Sequence, residues 1–343
     1  MRPLSGRRFC FLVPRFELKI EARAFWKFYN HYHEEAVATG RQVLRLNLDE
    51  TSVAVFQKPL QGVVMKTGKR TRQGTPSRLG VRRSDQRTNL TYVAIISDDP
   101  EFNAQLPQFI IGDRRTFTSA RYPVYFAASP RNVYLLVADK AWNNWRIMEK
   151  ILRVLGLVGR RLRPECQLIL CLDTYSSQLH EQVRATAHEE RVRLVIIPAR
   201  CTNVFQPLDV YVFRLFKERL RRRFHDLHAE RTGPLAVECL LQALYEAIQT
   251  TLLGNPWPNI FEKCGISYRQ LGVSEYINKH LMWPAHLLWA LDGYPLSDAD
   301  IAAILPTGRT LTLDEFMPPP PEPEPMAALE GAPAMEALEI HSF

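Results

Sequence analysis

Three aspartates stand where acidic side chains can do chemistry. Asp173 closes an apolar run, residues 167–172, that is too short for a helix and reads as a buried parallel strand. Asp209 lies just after Pro207, and proline fits a first helical turn because no amide hydrogen bond is lost there. Both acids therefore sit at element ends on one side of a sheet, where open α/β folds bind ligands. A carboxylate is expensive to bury without a partner. Oxygen ligands of this kind suit magnesium or manganese. Such a site needs a third acid, and Asp49 supplies it. Val43, Leu44, Leu46 and Leu48 make a strand, Asp49, Glu50 and Thr51 a turn, and residues 52–56 a return strand. Taken singly, Asp49 also reads as a hairpin-turn residue and Asp173 or Asp209 as a helix cap.

The elements that must position these acids follow from periodicity. Residues 21–39 read as a helix with a broad aromatic face (Phe25, Trp26, Phe28, Tyr29, Tyr32) docked on the core. Residues 89–97 form a third strand, residues 108–111 extend the sheet, and residues 132–138 add a short strand. Residues 142–155 form an amphipathic helix carrying Trp145, Met148, Ile151, Leu152 and Leu155. Ser176 or Ser177 caps the next helix, with His180 and Glu181 in its first turns. Residues 192–197 form a strand that Pro198 stops. The helix after Asp209 has an inner stripe of Val210, Phe213, Phe216 and Leu220. Residues 234–253 form a further helix.

Four segments, in order, resemble the DDE superfamily of transposase endonucleases, in particular the pogo/Tigger/Jerky-like group related to centromere protein B. They are Asn47-Leu48-Asp49-Glu50-Thr51, Asp173 after its strand, Gln206-Pro207-Leu208-Asp209, and Phe261-Glu262-Lys263-Cys264-Gly265-Ile266. Pro198 and Thr202 match the motif preceding the third segment, and Lys140-Ala141-Trp142 is similar to the group's KGW. The separation of 36 residues between Asp173 and Asp209 is in the range of such triads. The likeness spans about residues 20–266. It implies a ribonuclease H-like α/β fold, a mixed sheet flanked by helices, with the Asp49 and Asp173 strands parallel neighbours. It also implies that Asp49, Asp173 and Asp209 hold Mg2+ or Mn2+ and cleave or transfer DNA strands by two-metal chemistry. The sequence departs from the pattern in two ways. Thr174 and Gln178 replace the group's Asn and His, with His180 two residues on, and there is no room before residue 21 for its paired helix-turn-helix units. Two further readings stay open: a domesticated, inactive nucleic-acid-binding or interaction protein, and another ribonuclease H-like nuclease.

The charge pattern bears on the partner. With 44 Lys and Arg against 36 Asp and Glu, the chain carries a net charge of +8, which favours an anionic partner. Residues 58–83 contain Lys66, Lys69, Arg70, Arg72, Arg82 and Arg83 and no acid, in a glycine-interrupted loop suited to phosphate contact. Lys217, Arg221, Arg222 and Arg223 make the outer face of the helix after Asp209 a basic ridge, opposed by Glu218 alone. DNA is the expected partner, the nucleus the expected compartment with the cytoplasm as alternative, and the reading allows a homodimer. No apolar run reaches the ~20 residues of a membrane span. The six cysteines are scattered without a paired CxxC and read as reduced core residues. The expected organisation is an unassigned segment 1–20, a linker-like helix 21–40, a catalytic-type domain 41–266, a helical extension 267–316 broken at Pro284, and a disordered Pro/Glu/Ala-rich tail 317–343.

Overall fold

A computed structural model of the chain describes residues 15–54, 89–139, 141–173, 180–198, 201–229, 236–266 and 274–281. The basic segment 58–83, Lys140, Thr174, Gln178 and the tail lie outside the described residues. Among those described, no helix is long and apolar enough to cross a membrane.

The centre of the fold is a six-stranded mixed sheet. Its strands are β1 (Gln42–Ala54), β2 (Asn89–Ser97), β3 (Gln108–Gly112), β4 (Val133–Val137), β5 (Cys166–Leu172) and β6 (Val192–Ile196), in spatial order β4-β3-β2-β1-β5-β6. β1, β2 and β3 run as an antiparallel meander, and β5 then β6 add parallel to β1. This is the ribonuclease H-like order, with β4 added parallel to β3 at the edge. The runs Val93–Ile96, Ile110–Ile111 and Leu168–Leu172 are almost wholly buried, as expected for strands covered on both faces.

β1 corrects the expected hairpin. The turn read at Asp49–Thr51 is absent, and the strand continues to Ala54, pairing with β2 from Leu46↔Ser97 to Ala54↔Asn89. A short polar run resembles a turn in sequence, yet β2 offers it a complete antiparallel ladder. Asp49 is therefore mid-strand, opposite Ala94.

Helices cover both faces. α1 (Arg15–Ala38) begins earlier than expected and buries Phe25, Trp26, Tyr29 and Tyr32. Phe25 and Trp26 pack on Phe205, with ring centroids 5.6 and 4.8 Å away. The Tyr29 hydroxyl accepts from Arg45 Nε at 2.7 Å, and Arg45 also pairs with Asp98 at 2.8 Å. Two short helices, α2 (Pro100–Asn103) and α3 (Tyr122–Ala127), fall where periodicity assigns no element. α4 (Trp145–Leu162) starts three residues later than expected, because Asn144 accepts from the Arg146 and Ile147 amides and caps it. α5 (Glu181–Glu189) is capped by His180, whose Nδ1 accepts from Gln182 at 3.2 Å; Ser176 and Ser177, the expected caps, lie outside the described residues. After α6 (Thr202–Phe205), a π-turn (Leu208–Val212) leads into α7 (Phe213–Ala229). α8 (Val237–Ala247) runs into a second π-turn (Ile248–Leu253), followed by α9 (Pro258–Lys263) and α10 (Glu275–Leu281). Among the described cysteines, Cys171, Cys201 and Cys264 are buried.

The two ends of the described chain meet at Gly265. Trp26 Nε1 donates to its carbonyl at 3.0 Å. Its φ of +72° favours glycine, and a Cβ there would sit 2.8 Å from Ile277 and 3.0 Å from the Trp26 ring. Gly265→Ala should therefore cost about 1–3 kcal/mol through strain and overpacking. Urea unfolding checks this, and an unchanged midpoint would contradict the packing described.

Candidate carboxylate site

The β1–β5 ladder ends at Asn47↔Cys171. Continued by two residues, the same register sets Asp49 beside Asp173, the first residue after β5, on strands about 4.8 Å apart. Asp209 arrives from the first turn of the π-turn, a position where its charge complements the positive end of the helix.

One buried side chain ties the three elements together. Asn47 is fully buried; its Nδ2 donates to the Cys171 carbonyl at 3.0 Å, and its Oδ1 accepts from the Leu208 amide at 2.9 Å. Thus the residue two before Asp49 grips the residue two before Asp173 and the residue one before Asp209.

The electrostatics are those of acids crowded together. Burial pushes the Asp49 carboxyl far above the usual range, and the charges of Asp209, Asp173 and Glu50 push the same way; the Glu50 amide, bonded to Asp49 Oδ1 at 2.7 Å, only partly opposes them. Asp209 is more exposed. Partial burial raises it, while a hydrogen bond with Asp49 and the charge of Lys217 lower it. Two carboxyls joined by a hydrogen bond titrate as a pair, and burial pushes both of them upward.

Asp49 and Asp173 line an open cavity of about 400 Å³ together with Glu50, Ser52, Thr91, Trp142 and Asn143. Glu50 is raised by burial and by Asp173, and lowered by the amide of Asn143, which donates to it at 2.6 Å. Alternation along a strand puts Asp49 and Glu50 on opposite faces. Both reach the cavity because β5 has ended, leaving that edge of β1 without a described strand neighbour. Among the described residues, no three of His, Cys, Asp and Glu stand ready as a metal cluster.

The basic residues divide. Lys66, Lys69, Arg70, Arg72, Arg82 and Arg83 lie outside the described residues. Lys217 lies over the Phe213 ring, 5.2 Å from its centroid. Arg221 and Arg222 are exposed, and Arg222 pairs with Glu218. Glu218 is not the sole counter-charge: Glu246 of α8 engages Arg223 at 3.3 Å and Arg219 at 3.8 Å. His180 is committed to its cap and stacks on Trp145 at 4.5 Å.

Asn143 and Trp142 carried no chemical signal beyond the short motif that contains Trp142. Glu50 lies within the Asn47–Thr51 segment, but no acid role follows from alternation alone.

Residues 93–251 match the family model described as DDE superfamily endonuclease; this span contains Asp173 and Asp209, and Asp49 precedes it. Among solved structures, the chain is similar to the Mos1 transposase paired-end complex with left transposon end, at 13% identity and a TM-score of 0.37. That match covers 77% of this chain and 66% of the other, just under two thirds. The catalytic domain of Mos1 mariner transposase matches at 11% identity and a TM-score of 0.35, over 77% of this chain and 96% of that one. No curated protein matches the sequence.

Two measurements test this geometry. Asn47→Ala leaves the buried Leu208 amide without its acceptor and should cost about 1–3 kcal/mol in urea unfolding. The second concerns pH. A carboxyl raised in the folded state binds its proton more tightly there than in the unfolded chain, so stability falls as pH rises from about 4 through neutrality. Metal-free Asp49→Asn should lack this contribution and lose less stability than wild type between pH 5 and pH 8. Parallel pH–stability curves would refute the raised Asp49 carboxyl.

Proposed function

We propose that this chain, which carries a DDE superfamily endonuclease domain, uses Asp49, Asp173 and Asp209 to cleave or transfer DNA strands with a divalent cation, Mg2+ or Mn2+. The observation that carries this is the meeting of the Asp49 and Asp209 carboxyls, which hydrogen-bond to each other at the strand end that also carries Asp173. Carboxyls crowded in this way would suit a hard divalent ion, which carboxylates bind in their deprotonated form.

Asp49, Asp173 and Asp209 would hold the ion. When bound, it supplies Lewis-acid activation of a water or 3′-hydroxyl and stabilisation of charge on the phosphate. The chain does the rest. Asn47 fixes the spacing of the acid-bearing elements. Because burial raises the Asp49 carboxyl and a metal ligand must be deprotonated, affinity for the ion would rise with pH. Lys217, Arg221, Arg222 and Arg223 offer phosphate contacts on α7, and the basic residues of 58–83 add to them. The nucleus is the compartment this reading proposes.

A second reading, nucleic-acid binding without cleavage, is favoured by one observation: no ready-made metal cluster exists among the described residues. The two separate cleanly. With Mg2+ or Mn2+, the wild type should nick duplex DNA and gain melting temperature, more at pH 8 than at pH 6. Asp173→Ala should lose both effects. An equal metal-induced shift in that variant removes the metal assignment, and binding without nicking by the wild type leaves the second reading.

Binding itself should fall steeply with salt, with a log–log slope of about −0.9 per neutralised phosphate on duplex DNA. Changing Arg221 and Arg222 together to Ala should flatten that slope while leaving the metal-induced shift intact. Anisotropy titrations at several salt concentrations measure it. A slope unchanged in that double variant would exclude this face.

A further inference from the structure

Trp142 stands at the lip of the cavity that holds Asp49 and Asp173. At 64% exposure, it is the most exposed large apolar side chain among the described residues. A lone exposed apolar side chain is ordinary, but this one is held in place at some cost. Ala141, just before it, has a φ of +52°, a region that favours glycine, and its methyl is buried. Such a conformation persists only when its surroundings over-determine it. Here they do. The Thr91 hydroxyl donates to the Ala141 carbonyl at 2.7 Å. On the other side, Asn143 is buried and anchored to Glu50 at 2.6 Å, and Asn144 caps α4. The backbone is pinned before and after the indole, and the indole itself is left in solvent.

Building on the function proposed above, we propose that Trp142 is a stacking platform for an unpaired base next to the phosphate acted on at the carboxylate site. Its surroundings fit a nucleotide. The cavity floor is acidic and suits a phosphate only where a cation intervenes, whereas the indole is a flat apolar surface at the rim. Bases within a duplex are already stacked on both faces, so an indole face can engage only a base that is unpaired or turned out. Stacking of this kind tolerates any base and does not depend on phosphate neutralisation. It therefore adds a preference for locally opened DNA to the salt-dependent binding of the basic residues.

The test uses the full chain with Mg2+ and two duplexes of one sequence. One is fully paired, and the other carries an unpaired 2-aminopurine. Wild type should quench the 2-aminopurine fluorescence and bind the unpaired substrate more tightly than the paired one. Trp142→Ala should lose the quenching and bind the unpaired substrate about tenfold more weakly, with affinity for the paired duplex unchanged. Trp142→Phe should keep most of both. Melting temperatures should match wild type, because the side chain is outward. Unchanged quenching and affinity in Trp142→Ala overturn this inference alone, as does an equal loss on both substrates. A wild-type chain that binds neither substrate overturns the proposed function with it.

Discussion

Two hydrogen bonds from one buried amide hold the acid end of the sheet together. Asn47 spends its donor on the Cys171 carbonyl and its acceptor on the Leu208 amide. β1 and β5 separate as pairing partners immediately beyond this point. Twist alone would let the two strand ends diverge, and the following helix would have no fixed height above them. Both bonds are out of water, where leaving either partner unmade is costly. The three acids inherit their relative position from a neutral residue that touches none of the chemistry.

The two ends of β1 handle buried charge in opposite ways. At its start, Arg45 is compensated by Asp98 and by the Tyr29 hydroxyl, and the arrangement welds α1 to the sheet. Four residues later, the groups acting on Asp49 are other acids and a backbone amide. A buried pair with complete hydrogen bonding is structural. Carboxyls that burial and one another's charge push upward are destabilising when ionised. Evolved folds keep such an arrangement where function uses it, since strain of this kind clusters at working sites.

Sequence patterning made the sheet legible but obscured the joints. β2, β5 and β6 are apolar runs bounded by polar residues or proline, so periodicity located them. β1 misled because its second half, Asp49 to Ser52, is polar, and polar runs resemble turns when the neighbouring strand is unknown. The α5 cap was misassigned because serine is the stronger cap by propensity, while the stacking of His180 on Trp145 holds that histidine at the helix start. The roles of Asn47 and Asn143 are set by contacts 124 and 93 residues away, which no local pattern contains. Residue 141 is different. The resembled motif has glycine there, and the positive φ of Ala141 gives that preference a backbone reason.

Asp209 depends on an irregularity that helical periodicity conceals. In a regular α-helix, positions 209, 213, 216 and 220 fall on one stripe, at offsets of 4, 7 and 11 residues. Phe213, Phe216 and Leu220 are buried, so a regular helix would carry Asp209 into the core with them. The π-turn prevents this. Phe213 donates to the Leu208 carbonyl five residues back, which adds one residue to the first turn. Everything before it rotates by about 100° relative to the stripe, the angle of a single helical residue. Asp209 leaves the apolar line and reaches Asp49, while Val212, Phe213 and Phe216 stay packed. The Leu208 amide, at the start of that turn, donates to Asn47. The acid's delivery to the strand ends and the packing of α7 on the sheet, incompatible on one unbroken helix, are reconciled by one residue of slack in its first turn.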